Sequence, residues 1–264
     1  MAKQDSTLRT FIVIGVLCLV CSLLVCVSVV ALKDLQSKAM NVDREKSILA
    51  AAQIEFTDSN VSQVYADNIE ARLLDLNSGD FLLDQNEISK IVGTGTVDGY
   101  NFVSASKLAE SNISIPADKD LAKIRVRAKY MPVYLVKSAG GYSSIILPFY
   151  GQGLWSTMYG YLSVATDGNT IRGVKYYSHG ETPGLGAEIE NPAFTATWVN
   201  KKLFNEAGDV AFKVTKKVEK PEYEIDALSG ATLTSNGVST SVEYWASSNG
   251  YGPFLQKVKK EGVK

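Results

Sequence analysis

Nine residues, Asp226-Ala-Leu-Ser-Gly-Ala-Thr-Leu-Thr234, hold one acid, three hydroxyls and a single glycine. A charged, loop-like run from Lys216 to Glu224 precedes them, and Ser235-Asn236-Gly237 follows. Val238, Val242 and Trp245 then recur at i, i+4 and i+7, the spacing of one apolar helix face. The hydroxyls therefore fall at or just before a helix N-terminus. Unpaired N–H groups and the positive end of the helix dipole make such a place attractive to a phosphate. Local chemistry alone assigns the hydroxyls a plainer task, capping the first helical N–H groups. A threonyl hydroxyl can also form a phosphoester once another enzyme activates it. Gly230, lacking a side chain, lets a second active site approach the backbone closely. Spacing does not choose between Thr232 and Thr234.

Two earlier segments are rich in turn-forming residues. In Glu181-Thr-Pro-Gly-Leu-Gly186, Pro183 and Gly184 suit a tight turn. In Gly151-Gln-Gly-Leu-Trp155, two glycines let the backbone turn closely before a large aromatic residue that can serve core, pocket wall or both. His179 is the only histidine. With no Cys/His set around it, it reads as a loop residue and not as a metal ligand. No Ser/His/Asp set or paired carboxylates stand out, so no catalytic residue and no metal site are assigned.

Ser229-Gly230-Ala231-Thr232, preceded by Asp226, resembles the flavinylation motif of the C subunit of Na+-translocating NADH:quinone reductase, a motif also carried by the G subunit of the Rnf electron-transport complex. Glu181 to Gly186 is similar to that family's second flavin-contacting loop, and Gly151 to Trp155 to a third stretch. The resemblance implies FMN joined through its phosphate to Thr232 by a flavin transferase. It implies that Ser229, Gly230, Ala231 and Thr234 surround the phosphate or cap the helix. Glu181 and Thr182 then offer polar contacts, Leu185 presses on the isoalloxazine, Gly186 leaves room for it, and Trp155 lines the wall. A large apolar slot with few hydrogen bonds is what a flavin ring needs. The implied role is one-electron relay among the flavin and iron–sulfur centres of partner subunits, while the complex oxidises NADH, reduces quinone and moves Na+. The long stretch from Lys33 to Asn112 favours the quinone reductase family member over the Rnf one. A reading from another class is a membrane-tethered, cofactor-free binding or assembly protein, which would be colourless.

The elements that must position these loops follow from the rest of the chain. Phe11 to Leu32 is apolar almost throughout, and twenty-two residues at ~1.5 Å each span roughly 33 Å, enough to cross a bilayer. That length favours a retained anchor over a signal peptide. Lys3 and Arg9 precede the span, and Lys33, Lys38, Arg44 and Lys46 follow it. A positive-inside count puts the large domain in the cytoplasm, but long domains translocate largely regardless of charge. The resemblance puts it on the periplasmic face of a bacterial inner membrane, and that placement is adopted. Cys18, Cys21 and Cys26 all lie in the span, where thiols behave as small apolar residues. A net charge of −1 over 264 residues gives no basic field, so nucleic acid is not an expected partner.

Helix is expected from Lys33 to Gln53, restarting after Asp58-Ser-Asn60, with helix or mixed structure over Val61 to Leu76 and a turn at Asn77-Ser-Gly-Asp80. Gly93-Thr-Gly95 lacks the residues of a phosphate loop and reads as a loop or strand end. A short helix is expected from Pro116. From Ile124, β-branched and aromatic runs at 133–136, 143–147, 161–165 and 171–177 are separated by Gly-rich turns, the pattern of hairpins. Asn191-Pro192 opens a helix with Phe194, Trp198 and Val199 inward, and a last strand is expected near 210–214. The expected architecture is α+β: an N-terminus over 1–10, a transmembrane helix over 11–32, a helical or irregular accessory segment over 33–123, and an antiparallel-sheet FMN-binding domain over 124–264.

Overall fold

The computed structural model describes residues 7–93 and 96–263, with the side chain of Leu8 excepted. The chain divides into two compact units, Met1–Arg44 and Glu45–Lys264. The first is the outer part of one long helix, α1 (Thr7–Ala51). Its apolar residues have no protein against them: Phe11, Leu24 and Val30 are all exposed. It is the one described helix long and apolar enough to cross a membrane. An apolar, unpacked helix of this length is compatible with single-pass anchoring, because only hydrocarbon would satisfy such a surface. Cys18, Cys21 and Cys26 are free thiols on this helix. The last turns of α1 belong to the second unit, where Ile48, Leu49 and Ala51 are fully buried.

In the second unit, α2 (Val61–Asn68) runs directly into β1 (Ile69–Asp75), the mixed structure expected there. Then come β2 (Asp80–Phe81), α3 (Gln85–Val92), α4 (Phe102–Ala105), β3 (Asn112–Ser114) and β4 (Val126–Ala128). Four longer strands follow: β5 (Tyr130–Ser138), β6 (Gly141–Gln152), β7 (Thr157–Ala165) and β8 (Ile171–Ser178). The chain closes with α5 (Pro192–Ala196), β9 (Lys213–Thr215), β10 (Glu224–Asp226), α6 (Thr232–Ala246) and α7 (Gly252–Glu261). One six-stranded sheet in the order β2-β1-β5-β6-β7-β8 is antiparallel throughout.

Four expectations are corrected. Two strands of the sheet, β1 and β2, come from the stretch expected to be accessory, so a boundary at 124 runs inside one unit. Strand β1 pairs along its full length with β5, which removes its backbone groups from solvent. At Pro116 there is only a turn closed by Lys119 N–H to the Pro116 carbonyl. The late strand, β9, starts at Lys213 and pairs in parallel with β10, which begins at the last residue of the run read as loop. The side chain of Val199 is only half-buried, whereas Phe194 and Trp198 are buried as expected. Gly93 ends α3 with a positive φ of 75°, and Thr94 and Gly95 lie outside the described residues, as does Lys3.

Helix α6 is held on the sheet by the face read from the sequence. Val238, Val242 and Trp245 are each at most 2% exposed, and burial of such side chains stabilises by roughly 1.5–3 kcal/mol apiece. Trp245 Nε1 donates to the Tyr150 carbonyl at 2.7 Å, and Tyr251 Oη, ahead of α7, donates to the Pro148 carbonyl at 2.7 Å. Both bonds reach β6, so α6 is registered against the strand whose end carries Gly151 and Gln152.

Candidate functional site

Three loops meet at the start of α6: the β6–β7 connection, the segment after β8, and the turn at 228–231. A single carboxylate joins them. Glu181 is 5% exposed and accepts from Leu154 N–H at 3.2 Å, Trp155 N–H at 3.0 Å and Thr234 Oγ1 at 2.5 Å. Its own N–H donates to His179 Nδ1 at 3.1 Å, and Gly180 N–H donates to Ser156 Oγ at 2.6 Å. His179 Nε2 lies 3.3 Å from Glu190 Oε1. His179 thus braces the loop, in keeping with its reading as a loop residue.

Glycines let these loops close. A Cβ on Gly153 would lie 2.5 Å from Glu181 Oε1, and one on Gly186 would lie 2.6 Å from Thr234 Oγ1 and 2.9 Å from Glu181 Oε2. Gly186 therefore makes room for the Glu181–Thr234 bond. Glu181, expected to offer a polar contact, turns inward and accepts from three protein donors. Thr182 is exposed, and its Oγ1 accepts from Trp155 Nε1 at 3.1 Å. Trp155 itself is 68% exposed, so it is no core residue. Leu185 is exposed and lies over Gly230, whose φ of +72° turns the chain into the helix.

The helix start differs from the expected hydroxyl cap. Ala231 is the N-cap residue, and no side chain caps the helix. The cap position itself lacks a hydroxyl, and hydroxyls inside the helix are engaged elsewhere: Thr234 donates to Glu181, and Ser235 Oγ accepts from the N–H of Leu228 at 3.0 Å. Thr234 is 1% exposed, while Ser229, Gly230 and Thr232 are exposed and Ala231 is buried. Thr232 thus presents a hydroxyl at the first position of a fifteen-residue helix whose leading N–H groups lack intrahelical acceptors. Leu154, Trp155, Leu185 and Leu233 add exposed apolar side chains on the same three loops and first turn. Leu154, Leu233, Ser156 and Ser235 were not read as site residues; only their places within or beside the motifs signal them. Asp226 is exposed at the end of β10. No cluster of three His, Cys, Asp or Glu that could hold a metal occurs among the described residues.

Residues 153–247 match the FMN-binding domain family. Over 262 residues the chain is 45% identical to the C subunit of the Na+-translocating NADH-quinone reductase of Pasteurella multocida (strain Pm70), covering 97% of this chain and 96% of that protein. The chain belongs to this NqrC family. The Yersinia pestis relative of the same name is 43% identical over 271 residues, covering 99% of this chain and 97% of that protein. The crystal structure of Shewanella oneidensis NqrC superposes with a TM-score of 0.74 at 33% identity, covering 84% of this chain and 100% of that one. As an NqrC, the chain is a component of an oxidoreductase complex.

The site fits the group that the family implies. FMN combines a dianionic phosphate with a flat, largely apolar ring. An uncapped helix N-terminus suits the first, and exposed Leu154, Trp155, Leu185 and Leu233 suit the second.

Burial alone raises the Glu181 carboxyl, but the hydrogen bonds from Thr234, Trp155 and Leu154 outweigh it and hold the group below its ordinary 4.5. A folded-state pKa below the unfolded one adds stability that is present above 4.5 and lost as pH falls through the lowered value. Wild type is therefore expected to exceed Glu181→Gln in urea stability near neutrality, with the gap closing on acidification below 4.5. A gap constant from neutrality through that range would show that the carboxylate is not the stabilising form.

Proposed function

We infer that the chain carries FMN joined through its phosphate to Thr232 and serves as a one-electron relay in a respiratory Na+-translocating NADH:quinone reductase. The observation that carries the reading is one exposed hydroxyl, Thr232, standing at an uncapped helix N-terminus among three loops locked by Glu181. Bound FMN supplies one-electron redox chemistry, and the protein fixes its place and surroundings. Thr232 anchors the phosphate, and the leading N–H groups of α6 face its charge. Leu185, Leu233, Leu154 and Trp155 offer the ring an apolar surface, and Thr182 ties Trp155 in place. Ser229 and Gly230 leave the approach to Thr232 open to a flavin transferase.

Attachment needs an activated donor, because a phosphate monoester has no good leaving group. The Thr232 oxygen attacks the flavin-side phosphorus of a flavin pyrophosphate. A new O–P bond forms and the bridging P–O bond breaks. The other phosphate leaves with the electron pair, the hydroxyl proton is lost, and no atom changes oxidation state.

In this reading α1 anchors the chain in the inner membrane with the second unit on the periplasmic side, and the other subunits supply the NADH, quinone and Na+ sites. One span forms no ion route by itself. The test is intact-mass analysis and peptide mapping after co-expression with a flavin transferase. One FMN localised to the Ser229–Thr234 peptide supports the reading. An unmodified mass, with the transferase active on a control substrate, returns the motif to a helix start and favours the cofactor-free binding protein.

A further inference from the structure

Resting on the covalent-flavin reading, we propose that Glu181 is a positioning residue for flavin transfer, setting the acceptor hydroxyl of Thr232 through Thr234 and keeping Thr234 itself from serving as acceptor. The carboxylate lies 51 residues before Thr232 in the chain, yet it grips the first turn of α6 through the Thr234 hydroxyl. The same carboxylate fixes the opposite wall through the N–H groups of Leu154 and Trp155. Glu181 thereby ties the first turn of the acceptor helix to the loop.

The two threonines are sorted by this bond. Both lie in the first turn of α6, two residues apart in a helix, so they point to different sides. Thr234 is 1% exposed, and its hydroxyl proton is committed to Glu181. Thr232 is exposed, and among the described residues its hydroxyl has no hydrogen-bond partner. Alanine at the N-cap leaves the helix without a side-chain cap, so the N–H groups beside Thr232 remain free to receive the incoming phosphate. The closeness of Gly153 and Gly186 to the carboxylate limits its freedom further, since both backbones lie where a Cβ would touch its oxygens. The attack on phosphorus is the balanced step already given, and Glu181 touches none of its reacting atoms. Its contribution is geometric, and misplacement of a reacting group by about 1 Å can cost on the order of 100-fold in rate.

The experiment follows FMN incorporation into the full chain by purified flavin transferase, for wild type, Glu181→Gln, Glu181→Ala, Thr234→Val and the Glu181→Ala/Thr234→Val pair. Peptide mapping and hydrogen exchange across α6 accompany the kinetics. Glu181→Ala is expected to lower kcat about 10- to 100-fold with little change in KM for the chain, and to speed exchange of the Ser235 amide, whose bond to the Ala231 carbonyl closes the first turn of α6, but not around Val242 and Trp245. Glu181→Gln keeps the shape and an acceptor oxygen and should recover much of the rate, covering the case in which the alanine variant does not fold. Thr234→Val, which breaks only the Thr234–Glu181 bond, should lose no more than Glu181→Ala, and the pair no more than Glu181→Ala alone, because that substitution already removes the shared bond. Wild-type incorporation rates and unchanged first-turn exchange in both Glu181 variants would overturn the proposal, as would fully additive losses. Wild type that takes no flavin at Thr232 would instead overturn the reading on which it rests.

Discussion

Thr232→Ala, co-expressed with a flavin transferase, is expected to emerge with the mass of the bare polypeptide and to lose essentially all covalent flavin. The expectation is sharp because the substitution should leave the fold nearly untouched. Thr232 is exposed at the first position of α6 and its hydroxyl makes no bond among the described residues. Alanine is the best helix former, so the exchange is near neutral or slightly stabilising, within about 0.7 kcal/mol. Thr234→Ala makes the contrast. It strips a buried hydroxyl from Glu181 and should cost about 1–3 kcal/mol, because the carboxylate loses a donor it cannot replace with water. Unfolding by urea separates the two: unchanged stability with no flavin for Thr232→Ala, reduced stability for Thr234→Ala. Full retention of attached FMN in Thr232→Ala would remove Thr232 as the attachment point.

Much of this was legible in residue types and periods. The apolar run from Phe11, the β-branched and aromatic runs from Val133 to Tyr177 and the Val238–Val242–Trp245 face each announce an element by composition or spacing. The two early strands were not legible. The run Ile69-Glu-Ala-Arg-Leu-Leu-Asp75 has good helix formers, and only pairing with β5 makes it a strand. Strand β10 was hidden because three residues among charges carry no period. At the site, motif and hydroxyls were visible, but the direction of Glu181 was not. Exposed glutamate is the ordinary case for a turn, and nothing local reveals that Thr234 and two backbone N–H groups from remote segments will draw it inward. The missing cap has another origin: the helix starts so that Ala231 falls at its N-cap, and hydroxyls on both sides of that alanine do not show locally where the first turn will begin.

Gly237 extends that argument to the helix itself. In an exposed helix interior, glycine to alanine stabilises by about 1 kcal/mol. Here the sign is expected to reverse. A Cβ on Gly237 would lie 2.4 Å from the Gln152 carbonyl oxygen and 3.3 Å from Gly153 Cα. Both are backbone, at the end of β6 where the first binding loop begins, so no side chain can swing aside. The helix must retreat from the strand, against the anchoring of Trp245 to Tyr150 farther along. Overpacking of this kind costs about 1–3 kcal/mol, which outweighs the propensity gain for alanine and should be larger still for valine. Retreat of the first turn also pulls Thr234 from Glu181, so flavin attachment should fall together with stability. Asn236→Ala, one residue away and exposed, is the matched control and should do neither. Urea midpoints read the stability order as wild type and Asn236→Ala, then Gly237→Ala, then Gly237→Val. A Gly237→Ala protein more stable than wild type would mean that the close approach of helix and strand does not hold the site.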